Sequence, residues 1–344
     1  MFSSLESPET FVIAEAGVNH NGSLDIALKL CDQAKIAGAN AIKFQTWITD
    51  NIVLKGAPQA IYQELNTQKR IDQYSLLKEL ELSFDDFVKI NEYCKSIDLE
   101  FLSTPDDKES LNFLVNKIGL ETIKVGSGEI TNLPFLREIG KLSKKIILST
   151  GMSNMEDIDC ALKALGYPNF NRLILLHCTS SYPCPYQNTN LKVIITFKER
   201  YKYKIGFSDH TMGISAAIGA VAMGAEVIEK HFTLDKSMDG PDHKCSLETD
   251  EFKDMVNHIR IIEKTLGSPD KAIQDIEKDT KEKVTKMIVS RIPINEGTIF
   301  SEDNLNLLRS GSGFLNGQNW YDLIGKKAKR NYGLNEPIDF SEIK

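Results

Sequence analysis

Eight short apolar runs, each ending in polar residues and nearly every one followed by a helical pattern, constrain the fold of this chain more than any other feature. They are Phe11–Glu15, Asn40–Thr46, Leu99–Ser103, Thr122–Val125, Lys145–Ser149, Leu173–His177, Tyr203–Phe207 and Glu226–His231. After the first run, apolar positions 24, 27, 28, 31 and 34 share one helical face. Further helical segments fall near 108–117, 132–140, 154–165, 189–199 and 211–223, with Ser83/Asp86 and Ser153/Glu156 at capping-box spacing. This rhythm predicts an α/β chain closed as a (β/α)8 TIM barrel. An open doubly wound sheet is the alternative, but the Gly-x-Gly-x-x-Gly phosphate turn it would favour is missing.

The expected catalytic barrel domain spans 1–266 and ends in an amphipathic helix over 251–266. The long polar stretch 48–80 reads as an excursion that covers substrate. Residues 267–286 are polar and read as a linker. Residues 287–344 form a small unit of short β pieces, marginal alone and expected to dock on the barrel or on a neighbouring subunit. A net charge of −7 argues against nucleic acid and anionic membranes as partners. No apolar run approaches the ~20 residues of a membrane span, and the opening MFSSLESPET lacks a signal-peptide pattern. The six cysteines form no CxxC pair and read as reduced thiols of a cytoplasmic protein.

In a barrel, chemistry gathers where strands run into their following loops. Those tips carry Glu15; Lys43 and Gln45, on one face by the period of two; Ser103 and Thr104; Lys124, Ser127 and Glu129; Ser149; His177, Ser180 and Tyr182; Ser208, Asp209 and His210; then Glu229, His231 and Asp242. Lys43 and Lys124 read as anion-binding ammoniums, as barrel-lining lysines paired with Glu15 or Glu129, or as a Schiff-base nucleophile. Ser127, Ser149, Thr104 and the glycine-flanked N–H groups would complete a phosphate cradle. His210 and His231 end adjacent strands, an arrangement that lets two imidazoles hold one divalent first-row ion. His20 and His177 are weaker candidates, and His243 and His258 read as surface or packing residues.

The stretches IAEAGVNHNGS (13–23), AIKFQT (41–46), FLSTP (101–105), IKVGSGEITNLP (123–134), IILSTGM (146–152), LLHCTSSYP (175–183), GFSDH (206–210) and IEKHFTLDKSMDGPDHKCSLE (228–248) closely resemble the sialic acid synthase family. That resemblance implies a TIM barrel followed by a small antifreeze-like (SAF) domain at 287–344, in a domain-swapped homodimer. It implies condensation of phosphoenolpyruvate with an N-acetylated mannosamine-type sugar and a divalent metal cofactor, normally Mn²⁺, with Mg²⁺ or Co²⁺ possible. By the same resemblance His210 and His231 hold the metal. Lys43, Thr104, Lys124, Ser127, Ser149, Ser180 and Tyr182 surround phosphoenolpyruvate. Glu15 and Glu129 lie near the reacting carbons and the sugar, while Gln45, Asp242 and Arg309 bind the sugar, Arg309 from the partner subunit. Three positions depart from the family: Ser180 where some relatives carry Asn, Asp106 where Phe is usual, and Ser-Gly-Ser-Gly after Arg309 in place of Pro-Gly.

The implied reaction is attack of C3 of phosphoenolpyruvate on the aldehyde of the open-chain sugar. Water then adds at C2 and phosphate leaves with C–O cleavage. Glu15 is the first choice for the group that handles that water, with Glu129 second. N-acetylmannosamine giving N-acetylneuraminate is the leading acceptor. The alternative is 2,4-diacetamido-2,4,6-trideoxymannose giving N,N'-diacetyllegionaminate. A lysine-dependent aldolase and a non-catalytic sugar-binding protein are the rival classes.

Overall fold

The computed structural model describes residues 9–69 and 71–343. Its chain divides into two compact units, one extending to Gly267 and the other beginning at Ser268.

The first unit is an eight-stranded parallel barrel. Its strands are β1 (Phe11–Gly17), β2 (Ala41–Thr46), β3 (Glu100–Pro105), β4 (Thr122–Val125), β5 (Lys145–Ser149), β6 (Leu173–Cys178), β7 (Lys204–Asp209) and β8 (Val227–His231). Parallel ladders run in the order β3-β2-β1-β8-β7-β6-β5-β4. β3 and β4 lie beside each other at the remaining seam, so the barrel is nearly closed. Helices follow the strands because apolar residues recur every three or four positions. In the helix Leu24–Ile36, Ala27, Leu30, Cys31 and Ala34 are buried, and Ser23 caps the first turn by accepting from Ile26 N at 3.4 Å. Ser83 caps the helix Phe84–Ser96 through Asp86, at the spacing read from sequence. The helix Met155–Ala164 starts one residue later than Ser153/Glu156 suggests, since Ser153 Oγ donates to the Gly151 carbonyl and Asn154 supplies the cap.

The strand period of two places alternate side chains on opposite sides of the barrel wall. Outward residues such as Val12, Ile42, Phe101, Ile123, Leu148, Leu175 and Ile228 join the helices in one core. Inward residues Phe11, Ile13, Ala41, Leu102, Ile147, Ile174, Leu176 and Val227 fill the lower barrel. Two residues further along the same strands, the inward set becomes polar: Glu15, Lys43, Thr104, Ser149 and Glu229. The apolar layer seals one end and leaves the chemistry at the other.

The 48–80 excursion carries short helices at Thr49–Ile52, Ile61–Thr67 and Gln73–Leu80. Leu76 and Leu80 pin it by packing with Val18 and Trp47. Asn66 Nδ2 donates to the Pro241 carbonyl at 2.6 Å and Lys244 Nζ to the Asn66 carbonyl at 3.0 Å, tying the excursion to the loop after β8.

The second unit is a small antiparallel sheet of β9 (Lys286–Ser290) and β10 (Leu305–Arg309), consistent with an SAF-like domain. Ile288, Ile294, Phe300, Leu305, Leu315, Leu323, Ala328, Tyr332 and Ile338 form its core. The segment read as a linker carries the helix Lys278–Val284, which buries no side chain.

Candidate active site

At the polar end of the barrel a cavity of about 420 Å³ is lined by Glu15, Lys43, Gln45, Thr104, Asp106, Lys124, Ser127, Ser180, Tyr182, Ser208, His210, Glu229 and His231, among others. Side chains from all the strands except β5 meet there, because the closed sheet points every tip at one axis.

The cavity floor is an ionic network. Lys43 Nζ lies 2.5 Å from Glu15 Oε2 and 3.7 Å from Glu229 Oε2, and Lys124 Nζ lies 3.3 Å from Glu229 Oε1. Lys43 also donates to Thr104 Oγ1 at 3.3 Å, Gln45 Nε2 to Glu15 Oε1 at 3.1 Å, and Ser208 Oγ to Glu229 Oε1 at 3.0 Å. β1 bulges between Glu15 and Gly17, and Gly17 sits at φ +50°. A Cβ there would crowd Glu15 Oε1 at 3.1 Å, so glycine both permits the bend and leaves space for the carboxylate.

Burial alone would raise the Glu229 carboxyl, but Lys124 and Lys43 pull it down to about 2. Burial depresses the Lys124 ammonium below the ordinary lysine range despite Glu229. Desolvation would also depress Lys43, yet the attraction of Glu15 and Glu229 wins and holds it above that range. Burial lifts the Glu15 carboxyl despite Lys43.

A hydroxyl cradle adjoins this floor. Gly151 N donates to Ser127 Oγ at 3.0 Å, and Ser127 Oγ lies 3.2 Å from Cys178 Sγ. A Cβ on Gly151 would overlap Ser180 Oγ and come within 2.8 Å of Ser127 Oγ and Cys178 Sγ. The missing side chain is therefore what keeps the cradle open. Ser149 is buried beside it with no hydrogen-bond partner for its Oγ among the described residues, although it does not line the cavity wall.

The two histidines meet, with ring centroids 5.4 Å apart. His210 Nδ1 donates to the Thr179 carbonyl at 2.8 Å, which leaves the lone pair on Nε2, 3.4 Å from Ser208 Oγ. His231 Nδ1 has no hydrogen-bond partner among the described residues and lies 3.7 Å from Asp242 Oδ2. Burial pushes His210 down to about 4 and His231 well below the usual histidine range, so both rings are neutral. Among the described residues, no group of three or more His, Cys, Asp or Glu side chains converges as a metal cage. The Tyr182 ring lies 4.2 Å from that of His210, tilted by 35°, and Tyr62, from the 48–80 excursion, lies 5.0 Å from Tyr182.

Several residues stand apart from the expected cluster. Glu129 does not line the cavity; its Oε2 accepts from Asn132 Nδ2 at 2.6 Å at the start of the next helix. Asp242 is buried behind His231, where burial lifts its carboxyl to about 7. Arg309 is exposed at the end of β10 in the second unit. Asp209 faces out of the barrel and pairs with Lys230 at 2.9 Å. His177 donates to the Thr189 carbonyl at 2.7 Å outside the cavity. His243, read as surface or packing, is buried between Thr233 and Asn21. The sequence reading placed Glu229 and Ser208 at the strand tips without giving them a binding or catalytic role, and it did not name Cys178 or Tyr62. For Glu229 the signal was its spacing of two from His231; for Tyr62, inside an excursion, there was none.

A (β/α)8 barrel whose strand tips converge on paired lysines, a hydroxyl cradle and two neutral imidazoles defines the class: a barrel enzyme equipped for a small anion. The chain belongs to the NeuB family, whose sequence profile matches residues 30–271. The N,N'-diacetyllegionaminic acid synthase of Campylobacter jejuni is 44% identical over 96% of this chain and 99% of its own. The enzyme of the same name from Legionella pneumophila is 43% identical over 97% of this chain and 94% of its own. Among solved structures, the N-acetylneuraminic acid (sialic acid) synthetase of Leptospira borgpetersenii, in complex with citrate, superposes with a TM-score of 0.70. It is 35% identical and covers 80% of this chain and 90% of its own. The protein is thus a phosphoenolpyruvate-dependent transferase that forms a C–C bond, condensing phosphoenolpyruvate with an N-acetylated amino sugar to give a nonulosonic acid.

Proposed function

We propose that the acceptor is open-chain 2,4-diacetamido-2,4,6-trideoxymannose and the product N,N'-diacetyllegionaminate. The observation that carries this choice is that the relatives named for that product are 43–44% identical across nearly the whole chain, against 35% for the sialic acid synthetase. It reverses the order of acceptors read from the sequence, where N-acetylmannosamine led.

In this reading Lys43 and Lys124 bind the carboxylate and phosphate of phosphoenolpyruvate. Ser127, oriented by the Gly151 N–H it accepts from, and Ser180, with Ser149 and Thr104 nearby, supply directional donors to the phosphate. C3 attacks the sugar aldehyde, the carbonyl π bond breaks and its oxygen takes up a proton as the new hydroxyl, and C2 becomes electron-deficient. Water adds to C2, its proton passing to a carboxylate, and the tetrahedral centre expels phosphate with C–O cleavage. Glu15 is suited to that proton because it borders the cavity and burial makes it more basic than an ordinary glutamate. Gln45, which lines the cavity, is assigned to the sugar side, while Glu129, bonded to Asn132, and Asp242, behind His231, stand outside the cavity wall. Arg309 is assigned to the acetamido group of a sugar bound by a second copy of the chain.

NeuB-family enzymes generally require a divalent metal. The residues present fit one: His210 Nε2 is a free lone pair and His231 Nδ1 an orphaned buried nitrogen. We assign these two imidazoles as its protein ligands and Mn²⁺ as the ion. When bound, the ion would supply Lewis acidity toward the acceptor aldehyde.

Phosphate release from phosphoenolpyruvate and Mn²⁺ with each sugar tests the proposal. The diacetamido sugar should give the higher kcat/KM by at least about tenfold. Preference for N-acetylmannosamine would return the reading to N-acetylneuraminate, and no release with either would end it.

A further inference from the structure

Two aspartates follow β3, and their surroundings differ sharply. Asp107 is fully engaged: Oδ1 accepts from Glu109 N at 2.8 Å and Ser110 N at 2.9 Å, and Oδ2 from Ile48 N at 2.9 Å and Ser110 Oγ at 2.6 Å. It caps the helix Lys108–Phe113 and anchors the excursion after β2. Asp106 has its backbone N–H fixed to the Thr46 carbonyl at 3.1 Å, so its position is set. Among the described residues, its carboxylate meets no hydrogen-bond donor and no ion-pair partner.

That carboxylate is half-buried and lines the active-site cavity. It also lines an outer recess of about 500 Å³ bounded by Asn51, Lys108, Asn132 and Glu138, so it stands where the one opens toward the other. The other two carboxylates of the cavity, Glu15 and Glu229, are neutralised by Lys43 and Lys124. Burial and the Glu129 carboxylate push Asp106 up to about 7, although the Lys43 ammonium across the cavity pulls the other way. An unpaired carboxylate repels phosphate, so this wall does not suit phosphoenolpyruvate. It suits a neutral ligand that presents N–H or O–H groups, and the acceptor sugar is the substrate that does.

Resting on the synthase reading, we infer that Asp106 is a specificity-determining residue. Its carboxylate accepts a hydrogen bond from an N–H or O–H on the half of the acceptor remote from the aldehyde, at the mouth of the outer recess. A hydrophobic residue in its place would remove that preference and leave the anion cradle intact.

The test is a cycle of steady-state measurements on the intact enzyme with Mn²⁺. Wild type, D106N and D106L are each assayed with 2,4-diacetamido-2,4,6-trideoxymannose and with analogues lacking the C4 substituent or the C5 hydroxyl. Wild type should lose about 10- to 100-fold in sugar kcat/KM with one analogue, the range for a hydrogen bond to a charged group. D106L should show that loss on the parent sugar and no further loss on that analogue, with the KM for phosphoenolpyruvate within about twofold of wild type. D106N, which keeps an acceptor oxygen, should fall between, and it decides the matter if D106L does not fold. A sugar kcat/KM unchanged in the variants, or an equal loss on every analogue, overturns the inference and leaves the synthase reading standing. Failure of wild type to release phosphate with any sugar brings down both.

Discussion

Lys124 and Glu229 face each other across the barrel from β4 and β8, with Nζ 3.3 Å from Oε1, and the same carboxylate reaches Lys43 at 3.7 Å. One buried carboxylate is therefore shared by two buried lysines before substrate arrives. Lys124→Met should raise the KM for phosphoenolpyruvate about 10- to 100-fold and leave the sugar KM within about threefold. Glu229→Gln should destabilise the fold by about 2–4 kcal/mol, because two lysines lose their shared counter-charge. Steady-state kinetics and denaturant unfolding read the two effects separately.

The same pairing bears on the aldolase alternative. Incubation with pyruvate and borohydride should leave the intact mass unchanged, since both ammoniums are committed to carboxylates. A stable adduct on Lys43 or Lys124 would show a free amine and revive Schiff-base chemistry.

Gly151 keeps the hydroxyl cradle open. Gly151→Ala should weaken phosphoenolpyruvate binding by about tenfold or more, because the methyl group would overlap Ser180 Oγ. Phosphoenolpyruvate should then raise the melting temperature of this variant less than that of wild type. An equal rise would mean that the anion lies elsewhere.

The two neutral imidazoles predict metal-linked stability. Mn²⁺ should raise the melting temperature of wild type, by about 2.7 kcal/mol of stabilisation at a hundredfold excess over Kd. His210→Ala and His231→Ala should lose most of that rise, and exhaustive chelation should abolish wild-type turnover. A full Mn²⁺ shift in the double variant would displace the site from these residues.

Glu100 opens β3 far from the chemistry, half-buried, with no hydrogen-bond partner for Oε1 among the described residues, and burial lifts its carboxyl from 4.5 to about 7. The folded state thus holds a proton that the unfolded chain releases between those values. The stability tied to that proton is full below about pH 4.5 and is lost as pH rises through about 7. Glu100→Gln should match wild type at pH 4 and be more stable at pH 8 by on the order of 1–2 kcal/mol. Unfolding curves across that window check the sign.

The barrel and most of its tips were legible in the sequence because a strand's period of two and a helix's 3.6 are local properties. Lys43 with Gln45, and Glu229 with His231, share a face by spacing alone, and eight such faces imply a common axis. Spacing does not fix the phase of every strand. Ser208, Asp209 and His210 are consecutive, and only the register of β7 against β8 turns Ser208 and His210 inward while sending Asp209 out to Lys230. Nor does spacing say which carboxylate meets which lysine: Lys43 has Glu15 and Glu229, Lys124 has Glu229, and Glu129 turns instead to Asn132. Tyr62 reaches the cavity through a helix nested in an irregular excursion, and the engaged Asp107 differs from the unengaged Asp106 beside it in capping the helix that follows and in holding Ile48 N of the excursion. The order of elements and their polarity follow from nearest-neighbour patterns. The pairing of charges across the barrel depends on closure, which brings together residues more than a hundred positions apart.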